Sequence, residues 1–308
     1  MIKIIEVGPR DGLQNETVMV PTDAKVAFVD ALSETGVSEI EVSAFVSAKM
    51  VPQLSDAATV FRNIRHKNDV FYSALVPNAK GLEHAVAAGV NKISVFTAAS
   101  ETFNLKNINT TIAGSLERFS PVVKQSKKLN LPVRGYISTA FWCAFEGEIN
   151  PGTVVDLAKQ MIDMGIDELS ISDTIGKATP DEVATLMDLL LACVPAERIA
   201  VHFHDTYGRG IANVLKSVSY GIRAVDASVG GLGGCPFAPG ATGNVATESV
   251  VAELIKAGEK VNVHIEKLIQ AYEIIEPYLP DKPHTRPSPA SLACATCQFF
   301  DGNKCCGL

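Results

Sequence analysis

Residues 151–204 read PGTVVDLAKQMIDMGIDELSISDTIGKATPDEVATLMDLLLACVPAERIAVHFH, and the pattern changes period three times along them. Pro151–Gly165 carries apolar residues at three-to-four spacing and stops at a glycine, which predicts a helix. Glu168–Ser172 is a short strand-like run, Pro180–Val194 returns to helical spacing, and Ile199–His204 is again strand-like. The same unit recurs outward in both directions. Strands are expected near Ile2–Val7, Glu39–Ser43, Val70–Val76, Lys92–Phe96, Val133–Ser138 and Ala224–Val229, which with the two already named make eight. Helical spacing fills Asp23–Thr35, Ala79–Gly89, Ile112–Asn130 and Gly208–Gly221, with further stops at Gly36, Gly89 and Gly221. Strand and helix alternating eight times over about 230 residues predicts a closed parallel barrel rather than an open doubly wound sheet. A dinucleotide fold would need a glycine fingerprint after the first strand, and Glu6–Gly12 does not supply one. The fold expected is an α/β (β/α)8 TIM barrel over residues 1–277, followed by a short Pro- and Cys-rich C-terminal extension over 278–308.

Composition narrows the function. A chain of 308 residues with 47% hydrophobic content can bury one large domain. A net charge of -7 and a pI near 5.4 leave no basic face for a phosphate backbone, so no nucleic-acid partner is expected. No apolar run reaches the roughly 18 residues of a membrane helix, and Met1 leads directly into a strand without a basic leader, so a cytoplasmic protein is expected. Its seven cysteines are then expected to be reduced thiols rather than a disulfide framework.

Catalytic groups of a TIM barrel lie at the carboxyl ends of its strands. Arg10, Asp11 and Gln14 follow strand one, Glu41 and Ser43 lie on strand two, Asp173 ends strand six, and His202 and His204 share strand seven. Alternate strand residues point to one face, so both imidazoles project together with Phe203 opposite, a spacing suited to two ligands of one metal. Two core histidines would be the plain alternative. Strands one, seven and eight are neighbours in a closed barrel, which brings Asp11 to that pair. Imidazole mixed with carboxylate, without thiolate, favours Mg2+ or Mn2+ over structural zinc. Gly230–Asn244 holds six glycines, so it is expected to be a loop whose backbone lies close to a ligand or neighbour, and Cys235 at its centre is a candidate reactive thiol rather than a packed one.

Four stretches together resemble the 3-hydroxy-3-methylglutaryl-CoA lyases: Val7-Gly-Pro-Arg-Asp-Gly-Leu-Gln-Asn-Glu16, Ser172-Asp-Thr-Ile-Gly176, His202-Phe-His-Asp-Thr-Tyr-Gly208 and Gly233-Gly-Cys-Pro-Phe-Ala-Pro-Gly-Ala-Thr-Gly-Asn-Val-Ala-Thr-Glu248. The first and third are shared with isopropylmalate and homocitrate synthases, whereas the Gly-Gly-Cys-Pro loop resembles the lyase branch. The resemblance implies an acyl-CoA substrate, a homo-oligomer (dimer or tetramer), and a place in leucine degradation and ketone-body metabolism. It implies that Asp11, His202, His204 and Asn244 bind the metal, that Cys235 is the catalytic thiol, that Arg10 contacts the substrate carbonyl beside Gln14 and Ser43, and that Glu41 and Asp173 complete the site. The reaction implied is a reverse Claisen cleavage giving acetyl-CoA and acetoacetate, with Asp173 or His202 as the base.

Two segments depart from the family pattern. Thr139-Ala-Phe-Trp-Cys-Ala-Phe-Glu-Gly147 places Phe141 and Trp142 where small residues are expected. Either both rings pack beneath a loop or they reshape the acyl pocket, in which case a relative such as citramalyl-CoA becomes the substrate. The tail holds Cys294, Cys297, Cys305 and Cys306, which could bind zinc or an iron–sulfur cluster, form a redox clasp, or be inert. Two other classes stand beside the lyase: a condensing synthase of the same superfamily, expected to carry a further C-terminal domain, and a non-enzymatic metal or redox protein acting through the tail.

Overall fold

The computed structural model describes residues 1–234 and 243–279. Its eight parallel strands are β1 (Lys3–Glu6), β2 (Glu39–Ala44), β3 (Phe71–Leu75), β4 (Lys92–Ala98), β5 (Val133–Ser138), β6 (Glu168–Asp173), β7 (Ile199–Phe203) and β8 (Ala224–Ala227). They pair in sequence order, and β8 pairs with β1 through Lys3–Ala224 to Glu6–Ala227, so the sheet closes. A two-residue ribbon, Trp142–Cys143 against Gly147–Glu148, is added after β5.

The helices are α1 (Thr22–Ser33), α2 (Ala57–Asn63), α3 (Ala79–Ala87), α4 (Glu101–Ile108), α5 (Ile112–Lys128), α6 (Pro151–Asp163), α7 (Pro180–Leu190), α8 (Gly210–Ser219), α9 (Thr247–Lys256) and α10 (Ile265–Ile275). Their starts follow local chemistry. Asn78, Ser100, Thr111 and Asn150 each accept a backbone N–H of the helix that follows, and Thr179 with Glu182 forms a reciprocal capping box. Gly36, Gly89, Gly165 and Gly221 have positive φ, as the helix stops require. The short helices α2 and α4, and α10 against α1, are additions to the elements read from periodicity.

The apolar core lies between strands and helices, while the barrel interior is largely polar. Among the described residues, only Ile5, Val7, Ala200 and Ala224 form a separate apolar cluster there. At the amino-terminal end, Lys92 bridges Glu39 (2.6 Å) and Glu168 (3.0 Å), and fully buried Arg134 pairs with Asp226 and approaches Glu168 at 3.5 Å. These mutual ion pairs fill the lower barrel, as buried charge requires.

Candidate active site and metal centre

The chain after β1 makes one π-helical turn, Gly8–Gly12, that carries Arg10 and Asp11 over the barrel mouth. A Cβ at Gly8 would lie 2.7 Å from Glu6 Oε1, so a side chain there would have to displace the carboxylate that the Gly8 N–H donates to. Strand β7 ends at Phe203, one residue earlier than expected, and His204 instead makes an antiparallel bridge to Asn244. The two imidazoles still face one another, with centroids 5.4 Å apart. Ligand atoms of Asp11, His202 and His204 all lie within 4.8 Å of one another. Asn244 joins them by donating its Nδ2 to Asp11 Oδ2 and to the Leu232 carbonyl, both at 2.9 Å, so that Oδ1 is the atom it could offer to a metal.

The electrostatics of this cluster suit a divalent cation. Burial works against the Asp11 charge, yet Arg10, His202, His204 and Asn244 hold its carboxyl down at about 2. Burial, with His202 beside it, pushes the His204 imidazole down to about 4, so it is neutral at physiological pH, and its buried Nδ1 has no hydrogen-bond partner among the described residues. A carboxylate, two imidazoles and an amide oxygen are a mixed oxygen and nitrogen donor set.

Arg10 is buried and shared between two carboxylates: Nε donates to Glu41 Oε2 at 2.6 Å and Nη1 to Asp11 Oδ1 at 2.6 Å. Burial opposes its charge, but Glu41 and Asp11 raise its pKa. Glu41 also accepts the Tyr136 hydroxyl at 3.0 Å. At the end of β6, burial pushes the Asp173 carboxyl up to about 6. Oδ2 accepts the Ala178 N–H at 2.8 Å, and Oδ1 has no partner among the described residues. Ser43 is buried on β2 just past a register irregularity, and half-buried Gln14 donates its backbone N–H to the Arg10 carbonyl at 3.0 Å. Cys235 and the four tail cysteines lie outside the described residues.

The barrel mouth therefore gathers Arg10, Asp11, Glu41, His202, His204 and Asn244, while Asp173 ends β6 level with Phe203 rather than His202 in the strand register. Four interacting residues escaped the sequence reading: Glu6, Arg134, Tyr136 and Asp226. Their signal was a charged or phenolic side chain inside a strand run, with Arg134 and Tyr136 two apart on one face of β5.

A family profile described as HMGL-like matches residues 1–275. The chain belongs to the HMGL-like family. Within it, the chain is similar to the 3-hydroxy-3-methylglutaryl-CoA lyase, cytoplasmic, of Rattus norvegicus, with 48% identity over 89% of this chain and 80% of that protein. It is also similar to the crystal structure of the HMG-CoA lyase from Brucella melitensis, with 46% identity, a TM-score of 0.88, and coverage of 90% of this chain and 98% of the other. A third relative is an HMG-CoA lyase solved in complex with coenzyme A and 3-methylmalate, 37% identical with a TM-score of 0.89 and 97% of each chain covered. No helix among the described residues is long and apolar enough to cross a membrane.

Phe141 and Trp142, the HMGL-like departures, part company in the structure. Phe141 is buried in the core with its ring 6.1 Å from that of Phe203, which answers to the packing reading. Trp142 is half-buried, donates Nε1 to Glu182 Oε1 at 2.8 Å, carries Lys177 Nζ 3.3 Å from its ring centroid, and lines a cavity of about 390 Å³ with Ile175 and Tyr207.

Proposed function

We propose that this protein cleaves 3-hydroxy-3-methylglutaryl-CoA to acetyl-CoA and acetoacetate by a reverse Claisen reaction that depends on Mg2+ or Mn2+. The observation that carries the reading is the convergence of Asp11, His202 and His204 beside a guanidinium, Arg10, already bonded to one of them. Asp11, His202, His204 and Asn244 would hold the cation, which when bound lowers the pKa of a coordinated hydroxyl and orients it.

The chain's own groups divide the remaining work. Asp173 accepts the proton of the tertiary hydroxyl. Its raised pKa and free Oδ1 suit a general base working near neutrality, whereas the His202 nitrogens face Asp226 at 3.3 Å and Asp11 at 4.0 Å. As the carbon–carbon bond breaks, negative charge develops on the thioester oxygen, and Arg10 is a fixed cation in a water-poor site able to stabilise it. Glu41 and Tyr136 keep the guanidinium in place. Cys235 then delivers a proton to the enolate carbon. The acyl-CoA class is supported by the relative that binds coenzyme A, and burial of Phe141 in the core gives no reason to prefer the citramalyl ester. The test is acetyl-CoA release from a panel of 3-hydroxyacyl-CoA esters by purified protein with Mg2+. Release of acetoacetate from the hydroxymethylglutaryl ester in preference to the others is expected, and turnover of none of them would sink the proposal.

A further inference from the structure

Asp226 lies inside β8, is 1% exposed, and takes no part in the reaction as proposed. Three groups from three other strands converge on its carboxylate. Arg134 Nη2 of β5 donates to Oδ1, Ser170 Oγ of β6 donates to Oδ2 at 2.9 Å, and His202 Nδ1 of β7 lies 3.3 Å from Oδ2. A carboxylate paired with a guanidinium only accepts hydrogen bonds, so the imidazole must carry its proton on Nδ1. The lone pair is then on Nε2, which is the nitrogen turned toward Asp11 Oδ2, 4.0 Å away and beyond hydrogen-bond range. His204 has no such support, since its Nδ1 is buried without a partner among the described residues.

The support continues around the barrel to the other side of the cluster. The Tyr136 ring lies between two guanidiniums, with Arg134 at 5.1 Å and Arg10 at 5.4 Å from its centroid, and its hydroxyl donates to Glu41, which holds Arg10 against Asp11. We propose that Asp226, held by Arg134 and Ser170, is a positioning residue that sets the tautomer and ring plane of His202, so that Nε2 is presented to a divalent cation before the cation arrives. This rests on the metal-centre reading of the site. A plain stabilising ion pair between Arg134 and Asp226 would explain the burial but would leave the imidazole indifferent.

The experiment uses the full chain, free of metal and labelled with 15N-histidine. In the wild type, His202 should show a protonated Nδ1 and an unprotonated Nε2; an unprotonated Nδ1 would overturn the proposal without any variant. Titration with Mn2+ followed by electron paramagnetic resonance should then show Asp226→Asn binding about 10- to 100-fold more weakly, the usual cost of losing such an outer partner, with turnover recovering as Mn2+ is raised. Should that variant not fold because Arg134 is left without its carboxylate, Arg134→Met/Asp226→Leu carries the test, since apolar replacement of a buried ion pair is often neutral for stability. A folded paired variant with wild-type Mn2+ affinity and wild-type His202 tautomer would reduce Asp226 to a structural role. The tautomer needs no metal for its measurement, so a wild type that bound no Mn2+ would remove the metal reading while still answering the question about Asp226.

Discussion

Glu6 precedes a single turn and Asp11 lies within it, and their carboxyls shift in opposite directions. Burial pushes the Glu6 carboxyl up to about 7, although Thr247 Oγ1, the Val229 N–H and the Gly8 N–H all donate to it; Glu248 nearby adds to the rise. Burial works against the Asp11 charge too, yet its carboxyl ends at about 2, because Arg10 and two imidazoles face it. A neighbouring cation, more than the number of hydrogen bonds, keeps Asp11 charged, and Asp11 is also the less deeply buried of the two, with its side chain 18% exposed. Glu6 ties β1 to the turn after β8 and to the start of α9, and Asp11 stands where a metal would be held.

The two acids also load opposite ends of the pH scale. Asp11, depressed from 3.8, stabilises the fold above its unfolded pKa, and that contribution is lost as pH falls toward 2. Glu6, raised from 4.5, favours the fold while protonated, so its contribution is present below 4.5 and is lost as pH rises through about 7.

The comparison can be broken most severely on the Asp11 side. Chelation by EDTA should abolish turnover and added Mg2+ or Mn2+ should restore it; full activity in chelator would end the account of Asp11 as a ligand. Next in size, Cys235→Ser should lose several orders of magnitude in single-turnover rate while still binding the ester, and near wild-type turnover of Cys235→Ala would make the thiol structural. Arg10→Met should lower kcat by about 10²–10³, the usual effect of removing one preorganised donor, with a much smaller change in KM. It also sharpens the comparison directly, since Asp11 without its cation should move upward toward the behaviour of Glu6, readable by carboxyl 13C shifts in metal-free protein. Arg10→Lys should recover only part, for want of the planar fork. A rise in KM alone would pass the enolate-stabilising role from Arg10 to the metal. The smallest effect belongs to Glu6→Gln, which should leave kcat near wild type and flatten the loss of stability between pH 5 and about 8, a span worth on the order of 3 kcal/mol for such a shift. Denaturant melts at both ends of that range measure it, and an unchanged slope would transfer the neutral acid to Glu248, also raised to about 7.

Much of this arrangement could be read along the chain because its signals are local. The strand runs, the glycines at helix stops and the His202-Phe203-His204 alternation each depend on a few consecutive residues, and all eight barrel strands stand within two residues of the limits expected at either end. Arg10 and Asp11 were found by their place after β1. Glu6, Arg134, Tyr136 and Asp226 went unread because each looks unexceptional until its partner is known; those partners lie on other strands or, for Glu6, in the turns after β1 and β8 and at the start of α9.

The sequence by itself determined the alternation of strand and helix, the residues at the strand ends, and a donor set suited to a hard cation, because periodicity and residue chemistry act over a few positions. Closure of β8 on β1 is expected from the eightfold alternation, but which side chains it brings together was decided only in three dimensions. It is this closure, with the order of strands around the barrel, that sets Arg134 against Asp226, Asp226 against His202, and Asn244 against Asp11. Charge states belong to the same level. Glu6 and Asp11 are both carboxylic acids in the sequence, and the placement of Arg10, His202 and His204 around one of them separates an acid raised to about 7 from one held at about 2.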